Sequence, residues 1–293
     1  MPELPEVETI ARGVHECVRG DRIVEVWFGS HPQPFKTTPL RQARGLEGRA
    51  ILAVYRAGKH IVCELSAPDE RTSGRGKHRN QRGGDAAAHD VSAQWIVHLG
   101  MTGRLLVTTP DAPLEPHTHA RLNLASGREL RFVDPRRFGR LDFLDLSRVP
   151  GFRAPGADPL TVSGDVFASL FHGRKTPIKA ALLNQKLLSG VGNIYADESL
   201  FRAGIRPRRL CGRLTRSELE GLRLALIEVL RHAIRLGGSS VSDYVDANGV
   251  RGFFQLEHCV YQRGGLPCLR CQTPIKRIVL AGRGTHYCPQ CQR

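Results

Sequence analysis

The 293-residue sequence has no apolar run of about 18 residues and no basic amphipathic stretch edged with bulky aromatics. The first absence excludes a membrane-crossing helix, and the second argues against a membrane surface as partner. Nor does an apolar core of the kind a secretory signal needs stand near the N-terminus. A charged, helix-patterned segment is there instead, so a cytoplasmic protein is expected, associated with the nucleoid if bacterial. Carboxylates are scarce beside cations: 28 Asp plus Glu face 43 Lys plus Arg, for a formal charge of +15 and a pI near 10.0. That imbalance favours a polyanionic partner, nucleic acid first. The C-terminal end shares it: Gln262 to Arg293 carries six Lys or Arg and no carboxylate. Such a module is suited to lie on phosphate.

The length suggests about two domains at the usual ~100 to 200 residues each. Val7, Ile10, Ala11, Val14 and Val18 recur at three- and four-residue spacing, which predicts an amphipathic helix ended by Gly20. From Arg22 to about Leu146 the pattern becomes short β-rich segments, among them Ile51 to Tyr55, His60 to Leu65, Trp95 to Leu99 and Leu130 to Val133, consistent with a sandwich or a barrel. Residues 69–90 lose all periodicity and carry Arg71, Arg75, Lys77, Arg79 and Arg82, and read as a flexible basic loop between two strands. Pro150, Gly151, Pro155, Gly156 and Pro159 mark a boundary. Helices are predicted beyond it over Asp165 to Phe171, Ile178 to Lys186, Ile194 to Ala203 and Glu218 to Leu236, the last opened by Thr215 and Glu218 at capping-box spacing. A polar, glycine-containing loop follows from Gly237 to Gln255.

Eight cysteines divide unevenly. Cys17, Cys63, Cys211 and Cys259 are scattered, whereas Cys268, Cys271, Cys288 and Cys291 form two CxxC pairs separated by sixteen residues. That spacing suits two knuckles with a β-hairpin between them, presenting four thiolates to one structural zinc ion with no coordination position left for catalysis. Ser189-Gly190-Val191-Gly192-Asn193 is a glycine turn before a helix, a place where backbone amides and the positive end of the helix can meet an anion. The stretches Leu99 to Gly103 and Asp134 to Gly139 put Met, Arg and Phe at predicted loop tips, side chains that suit wedging into a base stack.

The chain opens Met1-Pro2-Glu3-Leu4-Pro5-Glu6. Removal of Met1, which a small second residue permits, would make Pro2 a free secondary amine. An α-amino group titrates near ~8 against ~10.4 for lysine, so a useful fraction is unprotonated at neutral pH. Glu3 and Glu6 stand beside it to move protons, and attack on a sugar carbon would give an iminium able to drive elimination. Taken alone, such a start is more often a frayed terminus running into a helix.

These motifs, in this order, closely resemble the bacterial formamidopyrimidine-DNA glycosylase family over nearly the whole chain. The matching pieces are Pro2 to Thr9, the Lys59 turn, His98 to Met101, Asp134 to Gly139, Gly190 to Tyr195 and the terminal cysteine hairpin. The resemblance implies an α+β multidomain fold: an N-terminal β-sandwich with flanking helices over 1–148, a helix-two-turn-helix domain over 149–257 and a four-cysteine zinc finger over 258–293. It implies removal of oxidised purines from double-stranded DNA, with strand cleavage by β,δ-elimination. Pro2 matches the nucleophile, Glu3 the acid/base, Glu6 a second carboxylate near the lesion, Lys59 a lysine that assists β-elimination and Arg283 the finger arginine of δ-elimination. Met101, Arg136 and Phe138 match the trio that fills the vacated stack, and His117, Lys175 and Asn193 match phosphate contacts. Residues 69–90 look like an insertion, and the loop from Ser239 to Gln255 resembles the segment that closes over an everted base. A monomer with no small-molecule cofactor is expected. The nearest alternative is the endonuclease VIII branch, which acts on oxidised pyrimidines; a non-catalytic zinc-finger DNA-binding protein would explain the charge and the cysteines but not Pro2, Glu3 and Lys59 together.

Overall fold

A computed structural model describes residues 1–31, 34–69, 90–240 and 244–293. The basic insertion therefore lies outside the described residues, apart from its two ends. The chain divides into two compact units. The first takes Met1–Pro2, Val7–Arg153 and Asp243–Val250; the second takes Glu3–Glu6, Ala154–Ser242 and Arg251–Arg293.

In the first unit, α1 (Leu4–Val18) buries Val7, Ile10, Ala11, Val14 and Val18 as its spacing predicts, and Gly20, at φ 80°, closes it in the left-handed region that a side chain would strain. Among the described residues eight strands follow: β1 (Ile23–Phe28), β2 (Ile51–Ala57), β3 (His60–Leu65), β4 (Ala93–His98), β5 (Arg104–Thr108), β6 (Thr118–Leu124), β7 (Glu129–Val133) and β8 (Arg140–Asp145). They pair antiparallel into two four-stranded sheets, ordered β1-β6-β7-β5 and β2-β3-β4-β8. Leu105, Leu122, Leu130 and Phe132 of one sheet share a core with Ile61, Trp95, Leu141 and Phe143 of the other and with the apolar face of α1. This is the β-sandwich with a flanking helix, and it removes the barrel alternative.

A second helix, α2 (Pro39–Leu46), was not predicted, because it buries only Gln42 and Leu46 and so lacks an apolar stripe. Its anchor is polar. The Gln42 amide donates to the carbonyls of Thr37 (2.8 Å) and Leu141 (3.2 Å), and Trp95 Nε1 donates to Gln42 Oε1 at 3.2 Å. Satisfied on both sides, a buried amide can replace apolar contact.

The second unit is helical: α3 (Gly164–Phe171), α4 (Ile178–Leu182), α5 (Asn193–Arg202) and α6 (Arg216–Arg235). The capping box opening α6 is present in both directions, with Glu218 N donating to Thr215 Oγ1 at 3.2 Å and Thr215 N to Glu218 Oε2 at 2.8 Å. Bonds from Arg209 and from Thr215 hold the Glu218 carboxyl down at about 2. Leu219, Leu222, Leu226, Val229 and Ala233 are core, as read. The helix predicted from Ile178 to Lys186 stops at Leu182 instead. Asn184 and Gln185 compete with it: Asn184 Oδ1 takes the Lys186 amide at 3.0 Å, and the Gln185 side chain spans Leu183 O (2.9 Å), Val191 O (2.8 Å) and the Gly190 amide (2.9 Å). At the C-terminal end β9 (Lys276–Leu280) and β10 (Arg283–Tyr287) form the expected hairpin between the cysteine pairs.

Candidate active site and zinc module

The first turn of α1 belongs to the second unit, where it meets the start of α5. Glu3 is 4% exposed; its Oε1 accepts the Ile194 amide at 3.1 Å and its Oε2 that of Tyr195 at 3.5 Å. The amides that the glycine turn was expected to offer to phosphate are thus occupied, at least at these two positions, by the chain's own carboxylate. This is the charge that a helix N-terminus favours. Gly192, the residue before α5, leaves the room: a Cβ there would overlap the Glu3 side chain. The adjoining backbone is tied down by Leu4 N donating to Gly190 O at 3.0 Å.

Glu6 is 2% exposed; its Oε2 accepts the Glu3 amide (2.8 Å), and its Oε1 the Ser239 amide (2.8 Å) and the Tyr195 hydroxyl. Burial raises its carboxyl above the ordinary range, and these donors pull it partly back. Glu6 therefore links the first turn of α1 to the base of the loop that begins at Ser239.

In the first unit Pro2 is buried, its nitrogen in amide linkage to an exposed Met1. Lys59 is 9% exposed on the turn between β2 and β3, next to Gly58 at φ 61°. The ring of the following residue, His60, packs tilted against His98 of β4, with ring centroids 4.7 Å apart, and against Phe152 at 4.6 Å. Burial first, then the charges of His60, Lys59 and Arg140, push the His98 imidazole down to about 4, and its Nδ1 accepts the Gly100 amide at 3.1 Å.

The three wedge candidates are exposed side chains on two loops that one buried residue joins. Asp134 Oδ1 accepts the Thr102 hydroxyl at 2.6 Å and its Oδ2 the Gly139 amide at 2.7 Å. Gly100, at φ 63°, packs its Cα against the backbone of Phe138 and Gly139, closer than any Cβ would allow. Met101 and Phe138 remain 41% and 48% exposed, and the Arg136 guanidinium lies 4.9 Å from the Phe138 ring centre. Apolar tips on a rigid loop are what an intercalating wedge requires. His117, exposed and at φ 65°, is tied to the same loop, since its carbonyl accepts the Asp134 amide at 3.0 Å.

Lys175 stands exposed on the turn between α3 and α4, where the Thr176 and Arg174 carbonyls accept the amides of Cys211 and Gly212 at 3.0 and 2.9 Å. Asn193 opens α5 and donates its amide to Gly284 O at 2.9 Å, joining the α5 start to the hairpin whose first β10 residue, the exposed Arg283, is the finger candidate. Within the second unit Glu3, Glu6, Asn193 and the Arg283 hairpin accordingly gather around the start of α5, whereas Lys175 stands on its own turn. Sequence reasoning did not single out Asp134 as the organiser of the wedge, Tyr195 and Ser239 as partners of Glu6, or the buried Lys179 and Asp197. Each is one polar residue inside an apolar or motif-rich stretch, a signal that periodicity does not carry.

The sulfurs of Cys268, Cys271, Cys288 and Cys291 all lie within 4.8 Å of one another, with Cys268 to Cys291 at 3.9 Å and Cys271 to Cys288 at 3.5 Å. A tetrahedral zinc with Zn–S bonds of ~2.3 Å places its sulfurs about 3.8 Å apart, so the four fit one ion. Hydrogen bonds from Thr273 pull the Cys271 thiol down, while burial pushes Cys288 and Cys291 up. Four thiols this close cannot all ionise without a cation between them.

Three family models match along the chain. The formamidopyrimidine-DNA glycosylase N-terminal domain covers residues 1–141, the formamidopyrimidine-DNA glycosylase H2TH domain 155–245, and the zinc finger found in FPG and IleRS 265–293. With the geometry of its sulfurs, the last match makes the C-terminal module the site of one structural zinc ion. A curated formamidopyrimidine-DNA glycosylase from Solibacter usitatus is 42% identical over 100% of both chains. Among solved structures, the complex between a mutant Lactococcus lactis FPG and a Fapy-dG containing DNA is similar at a TM-score of 0.83, with 32% identity and 100% of both chains covered. The MutM (FPG) protein from Thermus thermophilus is similar at 0.80, with 39% identity over 99% of this chain and 98% of that one. On the full-length identity and on the three domains in order, the chain belongs to the formamidopyrimidine-DNA glycosylase family.

Proposed function

We propose that the chain excises oxidised purines, 8-oxoguanine and formamidopyrimidines, from duplex DNA and then cuts the strand at the vacated sugar, using Pro2 as the amine. Once Met1 is removed, the Pro2 nitrogen attacks C1′ and the C1′–N bond to the base breaks; the proton that the amine sheds passes by way of Glu3 to O4′ as the C1′–O4′ bond opens. The resulting iminium acidifies the C2′ hydrogen. Its loss expels the 3′ phosphate, and a second elimination expels the 5′ phosphate. Lys59 assists the first elimination and Arg283 the second, by neutralising departing phosphate. Glu6 keeps the first turn of α1 in register with the loop from Ser239. Met101, Arg136 and Phe138 fill the gap left by the everted nucleotide, offsetting an unstacking cost of a few kcal/mol. His117, Lys175 and Asn193 hold backbone phosphate. The zinc fixes the hairpin and takes no part in the chemistry.

The observation that carries this reading is the fixed, buried carboxylate of Glu3 directly following Pro2. A proton-transfer group is held beside the only residue that gains an amine by loss of Met1. The formal charge of +15 supplies the attraction to DNA. A division of the chain at 148 and 257, action as a monomer and a location in the cytoplasm at the nucleoid belong to the same reading. Among the described residues no helix is long and apolar enough to cross a membrane.

The test is borohydride trapping on a duplex with 8-oxoguanine opposite cytosine, with and without a short extension ahead of Pro2. A covalent complex that disappears on extension is expected, and trapping that survives it excludes Pro2. A stronger preference for thymine glycol than for 8-oxoguanine would move the chain's activity to the endonuclease VIII type.

A further inference from the structure

Lys179 sits in α4 and is wholly buried. Its ammonium donates to Gly284 O at 3.0 Å and to Thr285 Oγ1 at 2.8 Å and forms an ion pair with Asp197 Oδ1 at 2.7 Å. Thr285 in turn donates to Arg283 O at 3.1 Å. Gly284 O also accepts Asn193 Nδ2, and Asp197 Oδ2 accepts the His286 amide at 2.8 Å. The three residues after Arg283 are therefore gripped by side chains from α4 and α5, and the chain of bonds ends on the carbonyl of Arg283 itself.

This arrangement is costly as a mere core filler. Burial works against the ammonium, with Asp197 and Glu3 opposing it and Arg283 adding to the strain. An apolar side chain of similar volume would pack α4 without that penalty. What it could not do is hold two acceptors at the start of β10 while paired to α5.

We propose that Lys179 is a positioning residue for Arg283. Through Gly284 and Thr285 it sets where the finger arginine stands relative to the start of α5, where Glu3 and Asn193 lie. The inference rests on the proposed part of Arg283 in the second elimination.

Removing Lys179 alone would leave Asp197 buried without a counter-charge, so the variant to make is Lys179→Met with Asp197→Asn. It is compared in full-length, zinc-loaded protein with Arg283→Gln and with the combination of all three changes. The readouts are zinc per chain and the ratio of β,δ- to β-elimination product from a lesion duplex. The paired variant is expected to keep its zinc, to shift the product several-fold toward β-elimination, and to add nothing when combined with Arg283→Gln. A wild-type product ratio in the paired variant, or losses that multiply in the combination, overturns the proposal. Should the paired variant lose zinc, Thr285→Val carries the test, because it breaks the link to Arg283 without burying a charge; an unchanged ratio there is equally fatal. If Arg283→Gln itself leaves the ratio unchanged, the assigned role of Arg283 fails rather than the contact network.

Discussion

Asp134 binds the Thr102 hydroxyl with one carboxylate oxygen, at 2.6 Å, and the Gly139 amide with the other, at 2.7 Å. One fully buried side chain thereby fixes both loops that carry Met101, Arg136 and Phe138. Asp134→Ala leaves the hydroxyl and the amide without their partner, a loss of about 1 to 3 kcal/mol of stability. Excision of 8-oxoguanine from duplex DNA is expected to fall further than that loss explains, since the proposed wedges, once loose, cannot hold an opened stack. Thermal melting set against single-turnover excision at a temperature where the variant is fully folded separates the two effects.

Gly192 is the second case in which a small feature positions a charged one. Any Cβ there would overlap the Glu3 side chain, so Gly192→Ala is expected to displace the carboxylate from the Ile194 amide. Activity should drop by about 100-fold or more if Glu3 transfers the proton as proposed, with zinc content unchanged. Substitution at Gly221, exposed in α6 with open space around it, is the matched control and should be silent or slightly stabilising.

The parts of this molecule that were legible in the sequence are those where one chemical need repeats at fixed spacing. The α1 stripe, the α6 stripe with its capping box, and the two CxxC pairs all have that property. The elements that were missed depend on single polar side chains. Gln42 anchors α2 without a stripe, Asn184 and Gln185 end α4 within a helical pattern, and Lys179 hides in an apolar helix. The Gly190 to Asn193 turn shows the same limit at the site. Its glycines announce amides open to an anion at the start of α5, read as phosphate, but nothing in the local pattern says that Glu3, from the far end of the chain, takes the Ile194 and Tyr195 amides.

Zinc should hold the finger together but not the sandwich. The finger core is small, comprising Phe201, Val260, Ile275 and the cysteines, whereas the sandwich has its own large core. Structural zinc sites contribute on the order of 10 to 16 kcal/mol of apparent binding energy. Chelation, or Cys268→Ser, is therefore expected to abolish amide-exchange protection from Arg283 to Tyr287 while β3 and β4 stay protected. Lesion cleavage should be lost in parallel. Retained protection in the metal-free hairpin would show that it folds without the ion.

Binding to DNA should weaken steeply with salt. If the basic surface neutralises about six phosphates or more, affinity for a lesion duplex falls by roughly 1000-fold or more between about 50 and 200 mM salt. Neutralising Lys175 should lower the slope of log affinity against log salt by about one, equally for lesion and undamaged duplexes. A slope unchanged in that variant removes Lys175 from the phosphate contacts.

Stability should also depend on pH through His98. Its imidazole is held at about 4 by burial and by the neighbouring charges, whereas in the unfolded chain it titrates near 6.5. Between those values the unfolded chain binds a proton that the folded protein refuses. The contribution is therefore fully present above about pH 6.5 and is lost as the pH falls toward 4. His258, pushed to about 4 by burial, acts in the same direction, while Glu6, with its raised carboxyl, takes a proton on folding and offsets part of the loss. The His98 share is isolated by comparing wild type with His98→Asn, which keeps an acceptor for the Gly100 amide but has no charge to gain. Wild type is expected to lose about 1 to 2 kcal/mol more than this variant between about pH 7 and pH 5 in urea unfolding. Parallel curves for the two proteins would show that His98 titrates in the folded state as freely as in the unfolded one.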